Sequence, residues 1–119
     1  MKFERVLICG SRKWSDISMI ACVIDKLWPK VIIHGSCAGA DLIADSLARN
    51  RSIPVESYPA DWVKHGKGAG HIRNAEMIKQ GKPDLVVAFL KKSEENRGTK
   101  NMITQAKEAG IQVVRLEDE

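Results

Sequence analysis

Five short apolar runs, RVLIC, KVIIHG, IPVESYP, DLVVAFL and IQVVRL, are separated by stretches with helical spacing. The runs do not alternate between apolar and polar residues, so they read as strands buried on both faces rather than on one. That pattern excludes a hairpin-rich sheet with one wet face. It predicts parallel strands joined by helical crossovers, with helices on both sides of the sheet.

The helical stretches have recognisable ends. WSDISMIACVIDKLW carries Ile20, Val23, Ile24 and Leu27 on one face, with Ser15 or Asp16 as its cap and Pro29 as its stop. Trp28, at the end of this stretch, is assigned to packing. ADLIADSLARN directs Ile43, Ala44, Leu47 and Ala48 inward. ADWVKHGKGAG has no clear period and reads as a loop. HIRNAEMIKQG is predicted to face Ile72, Ala75 and Ile78 inward and to stop at Gly81. KKSEENRG reads as a loop, and TKNMITQAKEAG as a last helix ended by Gly110.

The fold class that follows is α/β: a single Rossmann-like, doubly wound parallel sheet of five strands spanning residues 1–119. The predicted strand order is 3-2-1-4-5, with the flavodoxin-like order 2-1-3-4-5 as the alternative. A chain of 119 residues suffices for one core.

In such sheets ligands bind beyond the carboxyl ends of the strands, and the unusual residues collect there. The first strand ends in CGSRKW, the second in HGSCAGAD, the third in YPADW leading to GKGAGHIRN, and the fourth in FLKKSEENRGT. Glycine permits close backbone approach, and a helix N-terminus presents unpaired N–H groups with a partial positive charge. Gly10, Ser11 and Arg12, then Gly35, Ser36 and Gly39, are therefore candidates for cradling a phosphate or a ribose. Arg73 and Asn74 open the third helix, and Arg73 shares a helix face with Glu76 at i+3. Gly98 and Thr99 could offer an N–H and a hydroxyl to a second phosphate oxygen; Thr99 also reads as a helix cap. Trp14 and Trp62 are candidates for stacking on a base, with packing in the loops as the other reading.

Charge and cysteine content narrow the function classes. Lys and Arg number 19 against 15 Asp and Glu, a net charge of +4 that suits an anionic ligand and does not argue for nucleic acid. The three cysteines do not form a disulfide framework, and MKFERVLICG is too charged for a signal peptide. No apolar run approaches the roughly 20 residues of a membrane span. A reduced cytoplasmic setting is the expectation. His34, His65 and His71 make no i, i+4 pair and no Cys-x-x-Cys occurs, so neither metal nor cofactor is expected. His34 reads as a hydrogen-bonded strand-end residue.

Taken together, GSRKWSD, HGSCAGAD, PADW, GAGHIRNAEM and RGT, in this order, resemble the SLOG superfamily and its small YspA-like branch. The resemblance covers nearly the whole chain. It implies a Rossmann-like fold that binds a nucleotide or a nucleotide-derived ligand. Among its relatives, the lonely-guy phosphoribohydrolases hydrolyse the N-glycosidic bond of nucleoside monophosphates. They use an Arg, matched here by Arg73, and a Glu just after a Pro-Gly-Gly-x-Gly-Thr loop. Lys100, Asn101 and Met102 occupy the place of that Glu here. Relatives are often dimers, and the apolar helix faces permit a homodimer.

Glycosidic cleavage passes through an oxocarbenium-like state that needs a carboxylate under the sugar or as a base for water. Asp41, Asp61 and Glu76 are the candidates at the strand-end loops. Asp41 reads equally as a first-turn acid that steadies its helix. The expected functions are thus a nucleotide N-glycosidase or a non-catalytic protein that senses or sequesters a nucleotide signal.

Overall fold

The computed structural model describes residues 2–118. Five strands, β1 (Arg5–Gly10), β2 (Val31–His34), β3 (Val55–Ser57), β4 (Leu85–Leu90) and β5 (Gln112–Glu117), form one sheet in the order β3-β2-β1-β4-β5. Every pairing is parallel, with Leu7 opposite both Ile33 and Val86. This is the order expected from the sequence, and the flavodoxin-like alternative is excluded. All six residues of β4 are buried, and so are the middle four of β1. At the edges, β3 has only three residues and β5 is mostly exposed.

Five helices cross between the strands: α1 (Ile17–Leu27), α2 (Ala40–Asn50), α3 (Trp62–His65), α4 (Ala69–Gly81) and α5 (Arg97–Glu108). The two-residue period of a strand sends neighbouring side chains to opposite faces. Val6, Ile8, Leu85, Val87 and Phe89 therefore meet α1 and α2 through Ile20, Ile24, Ala44 and Ala48. Leu7, Cys9, Val86, Ala88 and Leu90 meet α4 and α5 through Met77, Met102, Ile103 and Ala106.

Several local expectations change. The stretch read as a loop over 60–70 contains α3, a 3₁₀ turn over Gly66–Gly68 and the start of α4. Asp61 starts α3 by accepting the Lys64 N–H at 3.0 Å. The inner face of α4 is Ala69, Arg73, Asn74, Met77 and Gly81, whereas Ile72 and Ala75 are exposed and Ile78 is half-buried. Apolarity mis-phased this helix because its inward face carries an Arg and an Asn. Gly81 does not terminate it; Lys82 does, in the left-handed region at φ 48°. Gly81 is the last helical residue, packed against Ile33.

Asp16 caps α1 through Met19 N, and Trp28 ends it in the left-handed region with half its surface exposed, so the expected packing role fails. α5 begins at Arg97, so Thr99 lies inside the first turn and is not the cap; Asn96 holds that position, with φ 56°. Gly110 follows the end of α5 with φ 76°, as a stop requires.

Candidate functional site

The chain runs from β1 outward through β2 to β3, then returns to place β4 on the other side of β1. The connections therefore part between β1 and β4, and a crevice opens beyond their carboxyl ends. A cavity of about 530 Å³ occupies it, walled by Gly10, Ser11, Arg12 and Lys13 after β1 and by residues 94–99 after β4. Cys37 and Asp41 close one side, Arg73 and Asn74 another, and Cys9, Met77 and Met102 supply sulfur-bearing, otherwise apolar walls.

The glycine-rich connection between β2 and α2 is built by packing. Gly39 has φ 78°, and a Cβ there would collide with the Ser11 carbonyl and sit 2.6 Å from the Arg12 carbonyl carbon. At Gly35 a Cβ would lie 2.5 Å from Nη1 of Arg73. Gly10 is tight against the Phe89 carbonyl and Ala40. These glycines bring three segments into contact, and only Gly10 of the three faces the main cavity. Ser36 adopts the left-handed region at φ 61°.

That turn is held by two buried side chains. Asp41, 4% exposed, accepts the N–H groups of Gly35 at 3.0 Å and Cys37 at 3.2 Å. Burial pushes its carboxyl above the ordinary range, while the Cys37 N–H, His34, Arg73 and the Gly35 N–H pull it back. His34 accepts the Ser36 N–H on Nδ1 at 2.9 Å, which leaves Nε2 to donate to Asp45 at 2.8 Å. His34 is thus the hydrogen-bonded strand-end residue expected of it.

Arg73 is 7% exposed and bridges the site. Its Nη1 donates to the Gly35 carbonyl, Nε to Asn74 Oδ1 at 3.0 Å, and Nη2 faces Cys37 Sγ at 3.6 Å. Asn74 in turn donates to the Gly98 carbonyl at 3.1 Å and to Asn101 at 3.0 Å, tying α4 to the first turn of α5. No side chain caps α5, and the N–H groups of its first turn have no partner within the helix. Thr99, buried in that turn, and Gly98 line the cavity.

The remaining candidates divide. Trp14 is 3% exposed, packs on Phe89 with ring centroids 5.3 Å apart and donates to the Asp16 carbonyl at 2.9 Å. It is a core residue packed on Phe89, not a ring presented at the crevice, which corrects the stacking expectation. Trp62 is half-exposed, and the Arg12 guanidinium lies 5.9 Å from its ring centroid. Asp61 is engaged as the α3 cap and lines neither the main cavity nor the smaller one beside Trp62. Glu76 is exposed and also lies outside both; the inward turn of Arg73 means the two do not share a face.

Three carboxylates line the main cavity: Asp41, Glu94 and Glu95. Glu94 pairs with Lys13 at 3.2 Å and Glu95 with Arg97 at 2.5 Å. Lys13, Glu94, Glu95, Asn96 and Arg97 were not singled out from sequence, because a polar run reads as a solvated loop. The usable signal was an Asn next to a helix start, a residue that tolerates the left-handed region. Asn96 donates to the carbonyls of Lys91 and Glu94, both at 2.9 Å, and its Oδ1 is buried without a partner. Burial also drives the Cys9 thiol up, with Asp41 adding to the push, so this cavity-wall sulfur stays protonated. No group of three metal-binding side chains occurs among the described residues. None of the helices there is long and apolar enough to cross a membrane.

Residues 4–65 match the family described as YspA, cpYpsA-related SLOG. Over a 126-residue alignment the chain is 38% identical to the Gene 61 protein of Mycobacterium phage D29, covering 97% of this chain and 98% of that protein. The family match ends before Arg73 and before the α5 wall, so it spans only one side of the crevice.

Proposed function

Because the chain belongs to the YspA, cpYpsA-related SLOG family, whose membership associates it with nucleotide-related ligands, we propose that it binds a nucleotide or nucleotide derivative in the β1/β4 crevice. The observation that carries this reading is the convergence of the uncapped α5 N-terminus with Arg12 and Arg73 on one cavity of about 530 Å³. A helix start and two guanidinium groups suit a phosphate. Asn96, whose buried Oδ1 has no partner among the described residues, also lines this cavity. Gly10, Ser11, Gly98 and Thr99 form the near wall of the proposed site.

Binding without turnover is the function best supported. Asp41 already serves two loop N–H groups, Glu94 and Glu95 are ion-paired, and Asp61 and Glu76 lie outside the cavity. One observation favours N-glycosidic cleavage as a second reading: Asp41 lines the cavity and holds its proton above the ordinary range, as a general acid does.

The test is a panel of ribo- and deoxyribonucleoside monophosphates, read by thermal denaturation and by release of free base. Stabilisation without base release is the expected result. Base release that disappears in Asp41→Asn would establish the second reading instead. Absence of both stabilisation and release would reject nucleotide recognition.

A further inference from the structure

A groove of about 640 Å³ lies between the N-terminal end of α1 and the length of α2. Its volume falls within the roughly 300–1,000 Å³ of small-molecule sites. On the α2 side it is lined by Gly39, Leu42, Ile43, Ser46, Leu47 and Asn50. These recur at three- and four-residue spacing, so they form one stripe along the helix, about 16 Å long. Ile17, at the start of α1, and the buried Trp14 complete the apolar lining. Ile43 and Leu47 pack partly on the core, whereas Ile17 and Leu42 are 56% and 49% exposed. Two large apolar side chains thus face water across one groove.

The groove is charged at one end. The missing side chain of Gly39 lets the loop after β1 press against the start of α2, since a Cβ there would sit 2.6 Å from the Arg12 carbonyl carbon. That contact sets Arg12 and Lys13 at the Gly39 end of the stripe. Arg12 is exposed and has no ion pair among the described residues. Lys13 is exposed in its pair with Glu94, a contact that water weakens. At the far end the lining residue is the neutral Asn50, and among the described residues no carboxylate lines the groove. An apolar body with a single anionic end complements this arrangement. A second copy of the chain does not, because a self-complementary contact brings the same two cations and no acid to meet them.

We propose that this groove is a second ligand site, for a small amphiphilic anion: an aliphatic carboxylate of medium chain length. The chain lies along Leu42, Ile43 and Leu47 and covers Ile17, and the carboxylate meets Arg12 and Lys13. The site does not depend on nucleotide binding in the β1/β4 crevice. The two adjoin through Arg12 and Lys13, which line both.

Calorimetric titration with hexanoate, octanoate and decanoate, each below its aggregation concentration, and with decyltrimethylammonium tests it. One decanoate is expected to bind per chain, and each added pair of methylenes should tighten binding by up to about tenfold. Decyltrimethylammonium should bind at least about tenfold more weakly than decanoate, for want of the charge-assisted contact. Leu42→Gln should remove most of the decanoate affinity, and Ile17→Gln repeats the test from the α1 side. Both positions are about half-exposed, so both variants are expected to keep the wild-type melting temperature. Absence of decanoate binding, equal affinity for decyltrimethylammonium, or a decanoate affinity unchanged in both variants overturns the assignment. So does sedimentation of the wild type as a dimer that Leu42→Gln dissociates, which would give the groove to a second copy.

Discussion

Arg73 and Gly35 form one joint: the guanidinium Nη1 donates to the Gly35 carbonyl at 2.5 Å, and the missing Gly35 side chain is the space the guanidinium occupies. This joint fastens α4 to the end of β2 and brings a buried cation to the meeting point of two cavities.

Gly35→Ala places a methyl 2.5 Å from Nη1 and 2.8 Å from Cζ. The guanidinium is buried and cannot swing into water without abandoning its partners. A loss of about 1–3 kcal/mol is expected in urea denaturation. Gly98→Ala is the contrast, since a Cβ there meets nothing within 4 Å in the first turn of α5. It should stabilise by up to about 1 kcal/mol. Equal effects at the two positions would contradict the packing role assigned to Gly35.

Asp41 should make folding less favourable as pH rises. Burial lifts its folded carboxyl above the ordinary value of 3.8, so the folded protein holds a proton that the unfolded chain has released. That contribution is complete below about 3.8 and is lost as pH climbs through the folded value. Asp45 has the opposite sign: its pairing with Arg49, then with His34, lowers its carboxyl, and its contribution is lost as pH falls below 3.8 through the folded value. Denaturation curves across acid pH for wild type and Asp41→Asn check this. The stability difference, wild type minus variant, should decline as pH rises, and a pH-independent difference would sink the assignment.

Arg12→Ala should separate binding from folding. The side chain is exposed and touches the Trp62 ring without an ion pair among the described residues. Stability should change by less than about 0.5 kcal/mol, while nucleotide affinity falls about tenfold through loss of a charge-assisted contact. The measurement is calorimetric titration beside thermal denaturation. An unaltered affinity removes Arg12 from the site.

The three cysteines should react in a fixed order. Cys22 is exposed, Cys37 is half-buried in the cavity wall, and Cys9 is buried with its thiol pushed up. Iodoacetamide at neutral pH is expected to label Cys22 first and Cys37 more slowly, with Cys9 labelled only on unfolding. A bound nucleotide should slow Cys37 directly and Cys9 through stabilisation of the fold, and leave Cys22 unaffected. Labelling of Cys37 that ignores a ligand known to bind would place that ligand elsewhere.

Two-sided burial was legible because it depends on patterns local to each run, whereas the strand order was narrowed to two alternatives and decided by the folded sheet. VLIC and LVVAFL have no polar face to offer water, so they had to become the centre of a covered parallel sheet. The glycines, Ser11, Arg12 and Arg73 were legible as strand-end residues for the same reason. Their individual duties were not. Gly39 and Gly35 answer to Ser11 and Arg73, residues distant in the chain, and Asp41 answers to N–H groups of the loop before it.

The amino-acid sequence by itself determined the alternation of strands and helices, hence a covered parallel sheet and the edge of it where chemistry can gather, while the folded sheet chose the strand order. Tertiary structure alone decided which polar residues turn inward. On α4 the inward positions belong to Arg73 and Asn74, because hydrogen bonds to Gly35, Gly98 and Asn101 satisfy them there, while Ile72 and Glu76 are left outside. Trp14 and Trp62 look alike in the chain. One finds Phe89 beneath it and becomes core; the other lies beside Arg12 and Gly70 and stays half-exposed at the smaller cavity. Apolar periodicity records what a residue avoids, but only the folded neighbours supply the partners that make burying a charge or exposing a ring favourable.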